Sequence, residues 1–125
     1  MQLSETKDIK GNGRQLGQLK RKYQRTEILG FFANLSDGKK IFGGVVENVS
    51  TGGFEVTNLP KSFSLDIYSY SAVLSGRGKH YKMLAKPCWR KKKGDRSITI
   101  GFKILDSSWQ WLAFTMKQLP ERHNN

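Results

Sequence analysis

The sequence is a short and strongly basic chain of 125 residues, with 37% hydrophobic and 26% charged side chains and a formal net charge of +12 at pH 7. This length allows one domain that buries about two thirds of its unfolded surface, and it leaves no room for a second folded domain. No apolar run approaches the roughly 18 residues that a membrane span requires, and Met1–Lys10 lacks the apolar stretch of a secretory signal. We therefore expect a cytoplasmic protein with no membrane span.

The basic residues are concentrated in two segments of the chain. Residues 1–25 carry seven lysines and arginines against two acidic residues, and residues 77–96 carry nine against one. Residues 26–76, between them, carry three basic and five acidic residues. Two basic segments on either side of a slightly acidic middle predict an anionic partner, such as a nucleotide, a nucleic acid, a phospholipid head group or an acidic protein.

The chain begins with a segment for which neither helix nor strand is predicted. Residues 1–19 are mostly polar, contain three glycines and have no apolar period, so we interpret them as a flexible basic arm. Beyond this arm, Arg21 and Arg25 lie four residues apart. The two arginines share a face whether the chain is extended there or forms one helical turn, so their guanidinium groups converge on one place.

The middle of the chain predicts six or seven short antiparallel strands, separated by clusters of turn-forming residues. The predicted strands are Ile28–Leu35, Lys40–Val49, Gly53–Val56, Phe63–Tyr70, Ala72–Leu74, His80–Trp89 and Ile98–Leu105. The predicted turns are Ser36–Lys39, Ser75–Gly78 and the charged loop Arg90–Arg96. Short strands in such number within one small domain favour a closed or nearly closed β-barrel, because closure leaves no exposed strand edge.

The end of the chain changes to a helical period. After Asp106–Ser108, whose side chains are good helix caps, four apolar residues fall at i, i+3, i+4 and i+7: Trp109, Leu112, Ala113 and Met116. We expect a helix of about three turns that packs this face on the barrel. Trp111 and Phe114 fall off this face, where they could form a rim or a partner surface, and Pro120 ends the helix before a short tail, residues 120–125.

Small polar residues interrupt the strand pattern at Glu47–Phe54, which reads Glu-Asn-Val-Ser-Thr-Gly-Gly-Phe. On a strand, Asn48 and Ser50 leave the same face while Val49 enters the core. The glycine pair that follows permits close approach of another molecule to the backbone. Two interpretations remain open at this stage: a tight hairpin turn, and a surface for a flat ligand.

The sequence contains no pattern typical of catalysis or metal binding. It has no convergent nucleophile and base, no Walker-type GxxxxGK[ST] and no CxxC, and its two histidines stand far apart, at His80 and His123. Cys88 is the only cysteine, and we interpret it as a small buried hydrophobic residue. We therefore predict a binding protein that is not an enzyme and that needs no metal or cofactor.

The polar residues identified above are suited to binding a nucleotide. A pair of arginines can bind guanine at O6 and N7, clamp a phosphate or stack on a base. Asn48 and Ser50 can form hydrogen bonds with the edge of a base. A ligand that contains both guanine and phosphate would use all four side chains.

Two motifs carry a resemblance to a known family. Arg21–Arg25, Arg-Lys-Tyr-Gln-Arg, followed by Asn48–Gly53 resembles the RxxxR and [D/N]xSxxG signature of the PilZ domains, bacterial receptors for cyclic di-GMP. Trp89 before a charged hairpin, and Ile100–Ile104 before a closing helix, are similar to the last strands of that family. The resemblance covers residues 20–119 and implies a six-stranded β-barrel with one C-terminal helix.

The resemblance also implies a role for each matching residue. Arg21 and Arg25 would hold the phosphates and guanines of the dinucleotide, and Asn48 and Ser50 would bond guanine. Gly53 would keep the turn open to the ligand. Further candidate contacts are Lys20, Lys22, Gly52, Trp89 and Gly101. Asn48 stands where the motif allows Asp or Asn, and its uncharged amide can donate as well as accept.

The implied function is that of a cyclic di-GMP receptor that changes conformation on binding and signals to a protein partner, in motility, biofilm or exopolysaccharide control. Two alternatives stay open. One is a small nucleic-acid-binding barrel, in which Tyr23, Tyr81, Trp89 and Arg90–Arg96 would contact bases and phosphates. The other is a PilZ-like protein adaptor that binds no dinucleotide.

Overall fold

The predicted strands form a closed sheet in a computed structural model that describes residues 25–118. The strands are β1 (Thr26–Glu27), β2 (Phe32–Ser36), β3 (Ile41–Val49), β4 (Gly53–Pro60), β5 (Tyr70–Gly76), β6 (Lys79–Lys93) and β7 (Ser97–Ser107). The helix is α1 (Trp109–Gln118). Around the sheet the order is β3, β2, β5, β6, β7 and β4, and β4 pairs again with β3, always antiparallel. This confirms the predicted all-β fold, a six-stranded antiparallel barrel with one further strand, β1, and a C-terminal helix.

The barrel interior is filled by the inward side chains of the strands together with one aromatic cluster. Phe63 stacks on Tyr70 with ring centroids 4.6 Å apart and meets Phe102 edge-on at 5.9 Å. Phe102 in turn stacks on Phe54 at 5.0 Å. Each large apolar side chain buried in this way contributes about 1.5–3 kcal/mol to the free energy of folding. The cluster lies beneath the start of β4, so it supports the end of the barrel that carries the candidate site.

The predicted strand Phe63–Tyr70 is wrong, since only Tyr70 of this segment is in a strand and the rest is irregular. The chain turns at Pro60, whose carbonyl oxygen accepts from the Phe63 N–H at 3.0 Å. The Tyr70 hydroxyl donates to the Ser64 carbonyl oxygen at 2.9 Å. Phe63 therefore enters the core from a loop that one backbone and one side-chain hydrogen bond hold in place, whereas Tyr70 enters from the first position of β5, where it pairs with Ala85.

Two other boundaries differ from those predicted. The segment Ile28–Leu35 is not one strand, because the chain turns between β1 and β2 at Gly30, whose φ of 83° is one that glycine adopts without strain. The segment Arg90–Arg96 is not all loop, because β6 and β7 stay paired as far as Lys93 and Ser97. Only the turn from Gly94 to Arg96 separates them. The lysines are exposed, so their charge does not oppose the pairing of the backbone.

The helix face predicted to pack on the barrel is also wrong. Trp111 is fully buried, and Phe114 packs beside it, whereas Trp109 and Met116 are 71% and 63% exposed. Trp111 and Phe114 pack on Tyr81 of the barrel, with ring centroids 5.4 and 5.1 Å away. This face is the one that gains ring-to-ring contacts with Tyr81, and such aromatic pairs contribute beyond the area that they bury.

Candidate ligand-binding groove

A groove of about 330 Å³ lies where β3 ends and β4 begins. β1 pairs with the end of β3, with Thr26 opposite Val49, and this places Arg25 beside the turn after β3. The site residues that the sequence predicted within the described range all line this groove: Arg25, Asn48, Ser50, Gly52, Gly53, Trp89 and Gly101. The remaining predicted site residues, at positions 20–22 (Lys20, Arg21 and Lys22), lie outside the described residues.

Ser50 shapes the turn that forms one wall of the groove. Its hydroxyl oxygen accepts from the backbone N–H groups of Gly52 and Gly53 at 3.2 and 3.0 Å, and the Ser50 N–H donates to the Gly53 carbonyl oxygen at 2.9 Å. The side chain is buried at 6% exposure. The hairpin interpretation of this segment is therefore correct for Ser50. The same bonds hold the backbone of the turn in the wall of the groove.

Gly53 and Gly101 are required by the close approach of neighbouring groups. A Cβ atom on Gly53 would overlap the carbonyl oxygen of Phe102 in β7. A Cβ atom on Gly101 would overlap the indole of Trp89, which is its partner in the β6–β7 register. The indole thus lies across the backbone of β7, and Trp89 is 36% exposed. An aromatic ring held in this way can offer its exposed part to a planar ligand.

Glu55 connects two of the predicted ligand residues and was not identified from the sequence. Its Oε1 accepts from the Asn48 amide Nδ2 at 3.0 Å, and its Oε2 accepts from the Arg25 guanidinium Nη1. Its side chain is 13% exposed. Asn48 and Glu55 are cross-strand partners in the β3–β4 pairing, equally far from the centre of the turn. A hairpin register counted outward from that centre would have found the contact.

A second groove of about 500 Å³ extends the first one toward the basic end of β6. It shares Arg25, Asn48, Glu55 and Trp89 with the first groove, and Lys91–Lys93 line its other side. Lys93 forms an ion pair with Glu47, with Nζ and Oε2 3.1 Å apart. Because both groups are substantially exposed, this pair contributes little to stability.

Cys88 is exposed, so the prediction that it is a buried hydrophobic residue is wrong. The β6–β7 register shifts between Pro87, opposite Phe102, and Trp89, opposite Gly101. Cys88 is the extra residue of this β-bulge. Cys88 faces away from the core, as the alternation of β6 after the buried Ala85 and Pro87 requires, and the bulge turns Trp89 to the same side, where both line the first groove.

The described residues contain no cluster for a metal ion. Within residues 25–118, no three or more His, Cys, Asp and Glu side chains are placed to share one. In the same range no helix is both long enough and apolar enough to cross a membrane.

No protein-family model matches the sequence, and no curated protein matches it. The fold is similar to several solved structures. The PilZ domain of YcgR from Escherichia coli, with c-di-GMP, has a TM-score of 0.64 at 12% identity, over 79% of this chain and 91% of that one. The Bacillus subtilis inhibitor of motility, MotI/DgrA, has a TM-score of 0.63 at 13% identity, over 78% of this chain and 48% of that one. The Borreliella burgdorferi PlzA protein in complex with c-di-GMP has a TM-score of 0.56 at 10% identity, over 84% of this chain and 56% of that one.

The architecture defines the class of the protein: a small closed β-barrel, capped by one helix, with a candidate ligand groove at the end of β3. In fold it is a PilZ-like domain, as the motifs implied. The chain spans about half the length of the Bacillus subtilis and Borreliella burgdorferi proteins. At 10–13% identity these likenesses concern the fold.

Proposed function

We propose that the protein is a receptor for cyclic di-GMP and that it binds the dinucleotide in the groove at the β3–β4 turn. The observation that carries this proposal is the convergence on one groove of three segments that are distant in the sequence and carry Arg25, Asn48 with Ser50, and Trp89. The fold likeness supports it, since two of the similar structures, those of YcgR and PlzA, are described with c-di-GMP.

Arg25 and Trp89 each have chemistry suited to one part of the ligand, whereas the Ser50 hydroxyl is engaged by the turn and shapes the wall of the groove. The Arg25 guanidinium carries five N–H donors. Glu55 accepts from Nη1, and the remaining donors can bind a phosphate or guanine O6 and N7. Trp89 can stack on a guanine through the part of its indole that is exposed. In this proposal Arg21 supplies a second guanidinium, and Lys20 and Lys22 supply further positive charge.

The groove is suited to binding, and the proposed output is a conformational change that a protein partner reads, with control of motility, biofilm or exopolysaccharide as the candidate processes. A ligand with two phosphates would draw the arginine-bearing segment onto the barrel. The arm expected in residues 1–19 lies outside the described residues. Hydrogen exchange of residues 10–25 is expected to slow when ligand binds, and equal rates with and without ligand would contradict this step. Residence in the cytoplasm stays a prediction.

The test of the proposal is a calorimetric titration with cyclic di-GMP in about 0.15 M salt, where exposed charges are partly screened. GTP and a single-stranded oligonucleotide serve as controls. We expect saturable binding of cyclic di-GMP alone. The double variant Arg21→Ala/Arg25→Ala is expected to lose this binding, whereas Lys91→Ala/Lys92→Ala, which removes the same charge from the rim of the second groove, is expected to keep it.

A nucleic-acid-binding barrel is the second candidate, because three lysines and Trp89 line the second groove together. Such a protein would bind the oligonucleotide with steep salt dependence and little preference among bases. It would also be more sensitive to loss of Lys91 and Lys92 than to loss of the two arginines. Binding of neither ligand would favour the protein adaptor and would contradict both proposals.

A further inference from the structure

The contact between Glu55 and Asn48 determines which way the Asn48 amide faces. A carboxylate can only accept hydrogen bonds, so the group that meets Glu55 Oε1 at 3.0 Å must be the amide nitrogen Nδ2. The carbonyl oxygen Oδ1 is then the group of Asn48 that remains for a ligand. An amide without such a neighbour could turn over and present its donor instead.

We propose that Glu55 is a positioning residue that makes Asn48 an acceptor for the donor edge of guanine, N1–H and N2–H. This inference rests on the proposed function and names the residue that sets base selectivity in that groove. Adenine presents an acceptor at N1, so a fixed acceptor at Asn48 discriminates against it. In this arrangement Asn48 accepts hydrogen bonds from the base, as an ionised Asp would, but it carries no charge.

The position of Glu55 suits this role. It lies on β4 directly opposite Asn48, so the barrel backbone and not a loop sets their separation. Its second oxygen, Oε2, accepts from the Arg25 guanidinium Nη1, so both oxygens of the carboxylate are engaged as acceptors. Arg25 and Asn48 are therefore oriented by one side chain, which is largely shielded from solvent at 13% exposure.

The same geometry predicts that the residue tolerated at position 48 depends on the residue at position 55. An Asp in place of Asn48 would put a second carboxylate against Glu55, and the two like charges would repel. With Gln at position 55, an Asp at position 48 would again have a donor beside it. The identities of the two residues are thus coupled, in a way that general loss of structure would not reproduce.

A rival role for Glu55 is competition, in which its carboxylate occupies Arg25 until a phosphate displaces it. Removing the carboxylate would then free Arg25 and tighten binding of any cyclic dinucleotide. The two roles predict different results: loss of a positioning residue lowers the preference for guanine, whereas loss of a competitor for the phosphate site leaves the preference unchanged and tightens binding of both ligands.

The experiment compares calorimetric Kd values for cyclic di-GMP and cyclic di-AMP in wild type, Glu55→Gln, Asn48→Asp and Asn48→Asp/Glu55→Gln. We expect Glu55→Gln to lower the preference for cyclic di-GMP about 5- to 20-fold, the worth of one guanine hydrogen bond. Asn48→Asp is expected to bind weakly, and the double variant to recover to within about threefold of wild type. Glu47→Gln, which makes the same change in net charge nearby at a side chain that pairs with Lys93, is expected to leave the preference unchanged.

Urea unfolding establishes that each variant is folded, and NMR of the Asn48 amide group reads its orientation without ligand. A fixed, protected amide is expected in wild type and loss of that signature in Glu55→Gln. An unchanged preference in Glu55→Gln, tighter binding of both ligands alike, or no recovery in the double variant would each overturn the inference. If wild type binds neither dinucleotide, the proposed function fails and the guanine role of Glu55 fails with it, whereas the NMR signature still decides whether Glu55 orients Asn48.

Discussion

The indole of Trp89 and the backbone of Gly101 are in such close contact that no side chain fits between them. We expect Gly101→Ala to force the indole from its place, to lower the free energy of unfolding by about 1–3 kcal/mol through overpacking, and to weaken ligand binding. Urea unfolding and the cyclic di-GMP titration measure the two effects. The matched control is Gly43→Ala in β3, where an added Cβ would come no closer than 3.7 Å to the Asn34 side chain. Equal stability of the two variants would contradict the packing argument.

The face by which α1 packs on the barrel can be tested with its tryptophans. Trp111→Ala is expected to lower the free energy of unfolding by about 3–5 kcal/mol, because it removes a fully buried ring. Trp109→Ala, at an exposed position of the same helix, is expected to change it by less than about 0.5 kcal/mol. Since Trp111→Ala can leave too little folded protein to measure, Trp111→Phe is the milder variant, and it should still cost more than Trp109→Ala. A larger loss of unfolding free energy for Trp109→Ala than for the Trp111 variants would instead support the packing face that the apolar period predicted.

The turn after β3 depends on the Ser50 hydroxyl. Ser50→Ala is expected to lower the free energy of unfolding by about 1–2 kcal/mol, because two backbone N–H groups lose the oxygen that accepts from them. Thr51→Ala is the control at the next, partly buried position, with an expected change below about 0.5 kcal/mol. Thermal or urea unfolding compares the two. A small effect at both positions would mean that the turn holds its shape without the hydroxyl.

Asp37 gives the hairpin between β2 and β3 a dependence on pH. Backbone N–H groups of Lys40 and Lys39 donate to its carboxylate at 2.8 Å each and lower its pKa below the usual 3.8. A carboxyl group whose pKa is lowered by folding stabilises the folded state at pH values above its ordinary, unfolded-state pKa. This stabilisation is lost as the pH falls through the lowered pKa of the folded state. We therefore expect acid unfolding of wild type to be steeper in this range than that of Asp37→Asn, which can still accept these bonds but does not titrate. Identical acid profiles would contradict this account.

The fold and most of the groove were predictable because their signals are local in the sequence. Alternating apolar residues and turn formers predict strands, and strands that leave no exposed edge predict a barrel. Asn48 and Ser50 also follow from spacing alone, since their side chains belong to one short segment. Glu55 was missed because its role depends on a partner on the opposite strand, which only the register identifies.

The errors arose where tertiary contacts outweighed a local pattern. A three-turn helix in this chain offers two apolar faces, and the aromatic ring of Tyr81 on β6 decides between them. Phe63 reads as a strand residue, yet it reaches the core from a loop. The residue type of Cys88 alone predicts burial, whereas the alternation of β6 places it on the outer face, and the extra residue in the register brings Trp89 to that face beside it.

Cys88, on the outer face of β6, places the only thiol of the sequence on the wall of the candidate groove. The natural chain therefore carries a single attachment point for a chemical label at the place where a bound dinucleotide would lie. The rate at which a small alkylating reagent modifies this thiol reports whether the groove is occupied, with no engineered cysteine. A ligand that fills the groove protects the thiol, and one that binds only the basic end of β6 leaves it reactive.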